Sequence, residues 1–308
     1  MSARLVALAI AAGVAFASCA RAPEPGSFAT PEDAVRALIE VVKAGDLESL
    51  VKFFGNDARD LVSGADPETG RQNQQVFLVA TAERWRLEDR AADSKELVVG
   101  NEDWPFPIPL VKKNDWWRFD VEAGHEEVLA RRIGRNELKA IEMCLGYVTA
   151  QGRYAQKPHD GKAPGLYAQH FSSEPGRQDG LYWPATHGQL RSPLGELMAA
   201  ASAEGPDIGA RRQPAPFHGY YYRILTAQGA AAAGGAKDYM TKAGLSGGFA
   251  LIAWPSQYDS SGIMTFIVNA DRVVHERDLG PETPTAVAAI TRYDPDTSWQ
   301  PVTRNTGR

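Results

Sequence analysis

The stretch Ile133 to Ala155, IGRNELKAIEMCLGYVTAQGRYA, decides the fold. Leu138, Ile141, Leu145 and Val148 recur at alternating spacings of three and four, which draws one apolar face on an α-helix. Ala140, Cys144, Tyr147 and Ala155 widen that stripe, and Arg135, Lys139, Glu142 and Arg153 fall away from it. No proline interrupts the run, and Gly134, Gly146 and Gly152 weaken it only modestly. At about 1.5 Å per residue such a helix spans some 30 Å, the width of a small domain. It is the expected spine of the second half of the chain.

Beyond the helix, residues 157 to 216 read as an irregular stretch containing one short helix, Leu194 to Ala203. A loop of that length in a compact domain is functional or held by aromatic anchors, here Tyr167, Phe171, Tyr182, Trp183 and Phe217. The last third reads as β: strands at Tyr220 to Leu225 and Gly247 to Trp254, and a hairpin of Met264 to Asn269 with Val273 to Arg277. A closing helix, Thr283 to Tyr293, follows.

Ahead of the helix, Thr30 is placed to cap, Pro31 suits a first turn, and Val35, Leu38, Ile39 and Val42 make an apolar face that Gly45 ends. Asp46 caps a second helix, Leu47 to Phe54, and Asn73 to Glu83 makes a third. Strands are predicted at Trp85 to Glu88, Glu96 to Val99, Phe106 to Val111 and Trp116 to Asp120, with a tight turn at Lys113-Asn114-Asp115. Pro105, Pro107 and Pro109 alternate, which suits a sheet edge or polyproline geometry. The fold class is α+β, in two domains of residues 28–122 and 125–308 that meet near Asp120 to Glu127.

The N-terminus reads as an address. Arg4 precedes an apolar run, Leu5 to Phe16, with the proportions of a secretory segment, and Ala17-Ser18-Cys19 closes it. Phe16-Ala17-Ser18-Cys19 resembles a bacterial lipobox, although Phe16 departs from the usual leucine. The resemblance implies a signal peptide over residues 1–18, lipid on Cys19, a tether over 19–27 and a membrane anchor. Ala20 after the cysteine favours the periplasmic face of the outer membrane if the cell is Gram-negative. The alternative is ordinary secretory cleavage nearby, leaving Cys19 as a thiol.

The chain has two cysteines. With lipid on Cys19, Cys144 stands alone on the apolar side of the helix as a small buried hydrophobe. The net charge of −5 and the absence of a Lys/Arg run argue against nucleic acid.

The stretches NEDWPFPIPL at Asn101, RRIGRNE at Arg131, DGLYWP at Asp179, HGYYYRILTAQG at His218 and MTFIVN at Met264 are together similar to a bacterial exported family, domain-of-unknown-function family 2950. That resemblance implies an exported envelope protein and no particular reaction. FATPEDAVRALIEVVKAGDLESLVKFFG at Phe28 resembles the opening of nuclear-transport-factor-2-like cone domains, which implies a helix and curved-sheet unit able to hold a small ligand. The order of long helix, loop and GYYY, GFALIAWP and GIMTFIVN strands looks like the globular head of type IV pilins, without their stalk.

A search for chemistry finds scattered groups. The six histidines have no helical metal spacing, and His159-Asp160 with His170 read as loop surface. Glu102-Asp103 reads as a turn cap, and Glu137 as a partner of Arg135 or Arg132. No metal, cofactor or catalytic residue is expected. The function expected is non-catalytic binding or assembly at the cell envelope with an envelope protein partner, the surface including Tyr182, Trp183 and Tyr221. The alternative is a small-ligand-binding or hydrolytic enzyme with a pocket in residues 28–122.

Overall fold

The computed structural model describes residues 26–63, 67–184, 191–195 and 216–303. The expected signal segment, Cys19, most of the expected tether and most of the predicted helix Leu194 to Ala203 lie outside the described residues. The chain is α+β and divides into two compact units, one ending at Glu127 and one beginning at Val128.

In the first unit, local chemistry sets each helix. Thr30 caps α1 (Pro31–Ala44) by accepting from the Asp33 amide at 3.1 Å, and Gly45 ends it with φ 76°. Asp46 caps α2 (Leu47–Phe54) by accepting from the Ser49 amide at 2.7 Å. A short helix α3 (Arg59–Ser63) and then α4 (Pro67–Glu83) follow, the latter starting ahead of the predicted Asn73. The sheet runs in the order β1 (Trp85–Ala91), β2 (Ser94–Val99), β4 (Leu110–Lys113), β5 (Trp116–Phe119), and β3 (Trp104–Pro105) pairs with β2. Asn114 and Asp115 both take positive φ, 51° and 65°, which gives the β4–β5 hairpin the turn its twist requires.

The predicted strand Phe106 to Val111 is corrected: it starts only at Leu110. Pro107 and Pro109 have no amide to give a ladder, and only the Phe106 amide reaches back, to the Leu97 carbonyl at 2.7 Å. Val35, Leu38, Leu97, Leu110 and Phe119 are buried together, with Phe54 and Phe106 packed edge-on against Phe119 and Phe53 tilted against it.

In the second unit, the short strands β6 (His170–Ser172) with β7 (Gly180–Tyr182), β9 (Ala227–Gln228) with β10 (Lys237–Asp238) and β11 (Met240–Thr241) with β12 (Gly244–Leu245) pair two by two, and an antiparallel sheet runs β16 (Gln300–Pro301), β15 (His275–Asp278), β14 (Met264–Asn269), β13 (Ala250–Pro255), β8 (Tyr220–Leu225). The four residues Ala250 to Ala253 are all buried, so both faces of the sheet centre are covered and its sequence does not alternate. On the other side from the long helix, Arg223 donates to the Val287 and Ile290 carbonyls, each at 2.7 Å, and so ties the closing helix α6 (Thr283–Ala289) to β8.

The spine helix α5 (Val121–Ala155) begins well before the predicted Ile133, and the boundary between the units falls within it. Its buried stripe is also rotated from the predicted one. Val148 and the widening residues Ala140, Cys144 and Tyr147 are buried as expected, joined by Met143, Ala150, Gln151 and Tyr154, while Leu138 is 69% exposed. Ile141 and Leu145 pack at the margin of the core. The Tyr147 hydroxyl donates to the Ala250 carbonyl at 3.1 Å, so the helix is bonded to the sheet as well as packed on it.

A clamp repeats this earlier on the helix. Glu137 Oε1 accepts from the Ile263 and Met264 amides at 2.9 and 3.0 Å, and Asn136 Nδ2 donates to the Ser261 carbonyl at 2.9 Å. The expected pairing of Glu137 with Arg135 or Arg132 is thus corrected: the carboxylate holds the start of β14. Gly262 is needed there because a Cβ would stand 2.1 Å from the hydroxyl of buried Tyr220.

Candidate functional site

The aromatic-anchored loop after α5 is held by backbone pairing through a side chain. Gln151 is fully buried and meets Ala168 twice: its Nε2 donates to the carbonyl and its Oε1 accepts from the amide, both at 2.8 Å. Between these anchors, the His159 amide and carbonyl pair with those of Lys162 across Asp160-Gly161. Asp160 and Gly161 both take positive φ, 47° and 75°, the conformation an Asp-Gly dipeptide adopts readily. This tight hairpin folds His159 back onto the end of α5.

His159 is 5% exposed. Its ring stacks on Tyr154 at 3.9 Å and 12°, and the Trp183 ring stands 5.8 Å away on another side. His159 Nε2 lies 3.0 Å from the Tyr154 carbonyl oxygen. A carbonyl only accepts, so Nε2 carries the proton, and in the neutral ring Nδ1 is left as a bare acceptor. Nδ1 is buried and has no hydrogen-bond partner among the described residues. The expected surface role of His159 is therefore corrected, whereas His170 is exposed on the strand His170–Ser172 and does not join it.

Beside His159 opens a cleft of about 30 Å³, lined also by Tyr154, Asp160, Tyr167 and Asp179. That is room for a group roughly the size of one or two water molecules. Asp160 accepts from the Gln178 amide at 3.1 Å and from Arg177 Nε at 3.2 Å, and Asp179 also lies 3.2 Å from Arg177 Nε. One guanidinium thus serves both carboxylates, and Asp160 foremost holds it above the ordinary arginine value. The Tyr154 hydroxyl, which donates to the Gln178 carbonyl at 2.9 Å, is pushed up to about 12 by burial first and then by Asp160 and Asp179. It stays protonated throughout the neutral range.

The other groups singled out in the sequence have found places. Trp183 is 4% exposed and belongs to the core, and Tyr182 is half-buried against it. Tyr221 is half-buried and faces Trp254 across the strands, rings 5.8 Å apart, with the Arg223 guanidinium 5.7 Å from the Trp254 ring. So Trp183 packs beside His159 in the core without lining the cleft, and Tyr221 belongs to a separate aromatic stack on β8 and β13. In the first unit, Arg84 and Arg86 both bond Asp103, whose carboxyl is held below its usual range chiefly by Arg86. Among the described residues no three His, Cys, Asp or Glu gather to hold a metal ion, and no helix is long and apolar enough to cross a membrane.

Cys144 is fully buried, and burial pushes its thiol up to about 12. In a chain carrying Cys19→Ala, a thiol reagent near pH 8 should leave the folded protein unlabelled and label Cys144 fully in denaturant. Fast labelling of the native protein would show that α5 opens at this position.

These features define a class: an α+β chain with a helix-on-sheet unit whose loop folds an aromatic-walled cleft onto the end of the helix. The chain belongs to the family described as Protein of unknown function (DUF2950), which it matches over residues 26–302. The resemblance read from its motifs holds, and the match takes in both units. Neither the curated proteins nor the solved structures contain a match to the chain.

Proposed function

We propose that this is an exported lipoprotein of the bacterial cell envelope that works by binding, with the second unit as its binding unit. In a Gram-negative cell the expected place is the periplasmic face of the outer membrane. Export and anchoring are supported by the apolar run Leu5 to Phe16 ending at Ala17-Ser18-Cys19. Two or more acyl chains on Cys19 would hold the chain firmly, since each buried CH₂ contributes about 0.8 kcal/mol. The binding role is carried by one observation: buried His159, one ring nitrogen of which has no partner, stands beside a small cleft lined by Tyr154 and Tyr167.

Fractionation tests the anchor. Cys19→Ala should move the protein from the membrane fraction to the soluble one, and an unchanged distribution would remove the lipid anchor from the proposal. Co-purification from envelope extracts tests the role. Turnover of a small ester, glycan or peptide by the purified chain would replace binding with catalysis.

A further inference from the structure

We propose that the free edge of β8 takes on an added strand from a partner protein, an extended segment whose glutamate faces Arg223 between two apolar residues. This deepens the binding role assigned to the second unit, on which it rests, at a surface apart from the His159 cleft.

β8 is the last strand of its sheet and is bonded to β13 on one side only. Backbone groups alternate sides along an antiparallel strand, and the bonds at its ends fix which residues face which way. The Ser256 amide donates to the Gly219 carbonyl at 2.9 Å, so Gly219, Tyr221, Arg223 and Leu225 turn towards β13. Tyr220 instead exchanges bonds with Phe217, at 2.7 and 3.0 Å, so Tyr220, Tyr222, Ile224 and Thr226 turn outwards. The Thr226 carbonyl agrees: it accepts from the Tyr239 amide at 2.8 Å. Between these two closures the amides and carbonyls of Tyr222 and Ile224 have no partner among the described residues. Both residues are half-buried, and the Tyr222 hydroxyl is wholly buried, so what Tyr222 shows to solvent lies towards its backbone. Such a row of unpaired groups is a template for another strand.

The two faces set the partner. A residue bonded to Tyr222 or Ile224 shares their face of the sheet. The Phe171 and Phe217 rings lie 6.1 and 6.2 Å from the Tyr222 ring there, and apolar side chains suit that surface. The residue between those two shares the opposite face with Arg223. Arg223 donates from Nη2 to two carbonyls and has no carboxylate partner among the described residues. Its guanidinium lies 5.7 Å from the Trp254 ring, towards β13, so a glutamate reaches it better than the shorter aspartate.

A second copy of this edge fits no antiparallel register. Pairing Tyr222 of one copy with Ile224 of the other sets the two Arg223 side chains directly opposite, and like charges there repel. Pairing Tyr222 with Tyr222 sets Ile224 against Tyr220, and pairing Ile224 with Ile224 sets Tyr222 against Thr226. Both of those positions are already bonded, to Phe217 and to Tyr239.

The test uses the full-length chain, purified and ¹⁵N-labelled, with amide hydrogen exchange followed residue by residue. The probe is the peptide acetyl-Thr-Val-Glu-Val-Thr-amide, with an expected Kd of about 0.1–1 mM. At ten times its Kd it should slow exchange at Tyr222 and Ile224 about tenfold and leave Tyr221 and Arg223, already bonded to β13, unchanged. The peptide with lysine for glutamate should bind at least about tenfold more weakly. The peptide N-methylated at both valines has lost the amides that donate to β8 and should not bind. Arg223→Gln keeps a donor for the α6 carbonyls and should remove the preference for glutamate. If that variant does not fold, the peptide series decides.

Equal protection by the lysine peptide would overturn the acidic partner, and binding of the N-methylated peptide would overturn strand addition. An edge that no peptide protects is bonded to water only, which overturns the proposal. None of these results bears on the anchor. Failure here with envelope partners still co-purifying removes the β8 edge alone, and a chain that recovers no partner removes the binding role itself.

Discussion

Trp183→Ala is expected to lower the free energy of unfolding by about 3–5 kcal/mol, read as a fall in the urea midpoint at constant slope. The ring is 4% exposed and packs in the same core as Leu181 and Leu194, beside His159. Removing it leaves a cavity that the neighbours cannot close, because His159 is held between the Tyr154 ring and the Tyr154 carbonyl. The Asp-Gly hairpin and the cleft should loosen with it. A loss under about 0.5 kcal/mol with loss of co-purifying partners would instead make Trp183 a contact surface.

Glu137→Ala should cost about 2–3 kcal/mol. One carboxylate oxygen accepts two backbone amides at the start of β14, and each charge-assisted bond contributes about 1.5–3 kcal/mol when well shielded. The carboxylate is only half-buried, so water replaces part of what is lost and the total stays at the low end. Glu137→Gln keeps an acceptor oxygen and should recover more than half of the loss. Equal losses for both variants would mean that the charge, and not the two bonds, holds the strand.

The parts of this fold that could be read from the sequence are those decided within about four residues. Thr30, Asp46 and Gly45 act on backbone groups two to four positions away, so their side chains alone specify where the helices start and stop. The strand Met264–Asn269 and the Asn114-Asp115 turn were legible for the same reason. Proline at 105, 107 and 109 was legible as a disturbance, but its outcome depended on which neighbour could still donate, and that was the Phe106 amide to distant Leu97.

The rotated stripe of α5 shows where such reading stops. Hydrophobic periodicity found a helix, and Leu138 fitted the period as well as Ala140 did. The sheet chose the small residues Ala140 and Cys144 with the polar-tipped Tyr147, because close approach lets the Tyr147 hydroxyl reach the Ala250 carbonyl. A large leucine at the contact would have held the backbones apart.

The candidate site was split in the same way. The sequence by itself determined the family, the α+β class, the local caps and turns, the aromatic anchors of the long loop and the burial of Cys144. An Asp-Gly dipeptide such as Asp160-Gly161 favours a tight turn, but it does not say what the turn carries. Only the tertiary structure decided that His159 is buried with one nitrogen unused, that Glu137 holds a strand 126 residues away, and that one arginine serves two carboxylates beside the cleft. The physical reason is range. A cap or a turn is satisfied by groups that the chain keeps adjacent at every stage of folding. The partner of a buried polar group is set by which distant surfaces come together, and by how closely their side chains let the backbones approach.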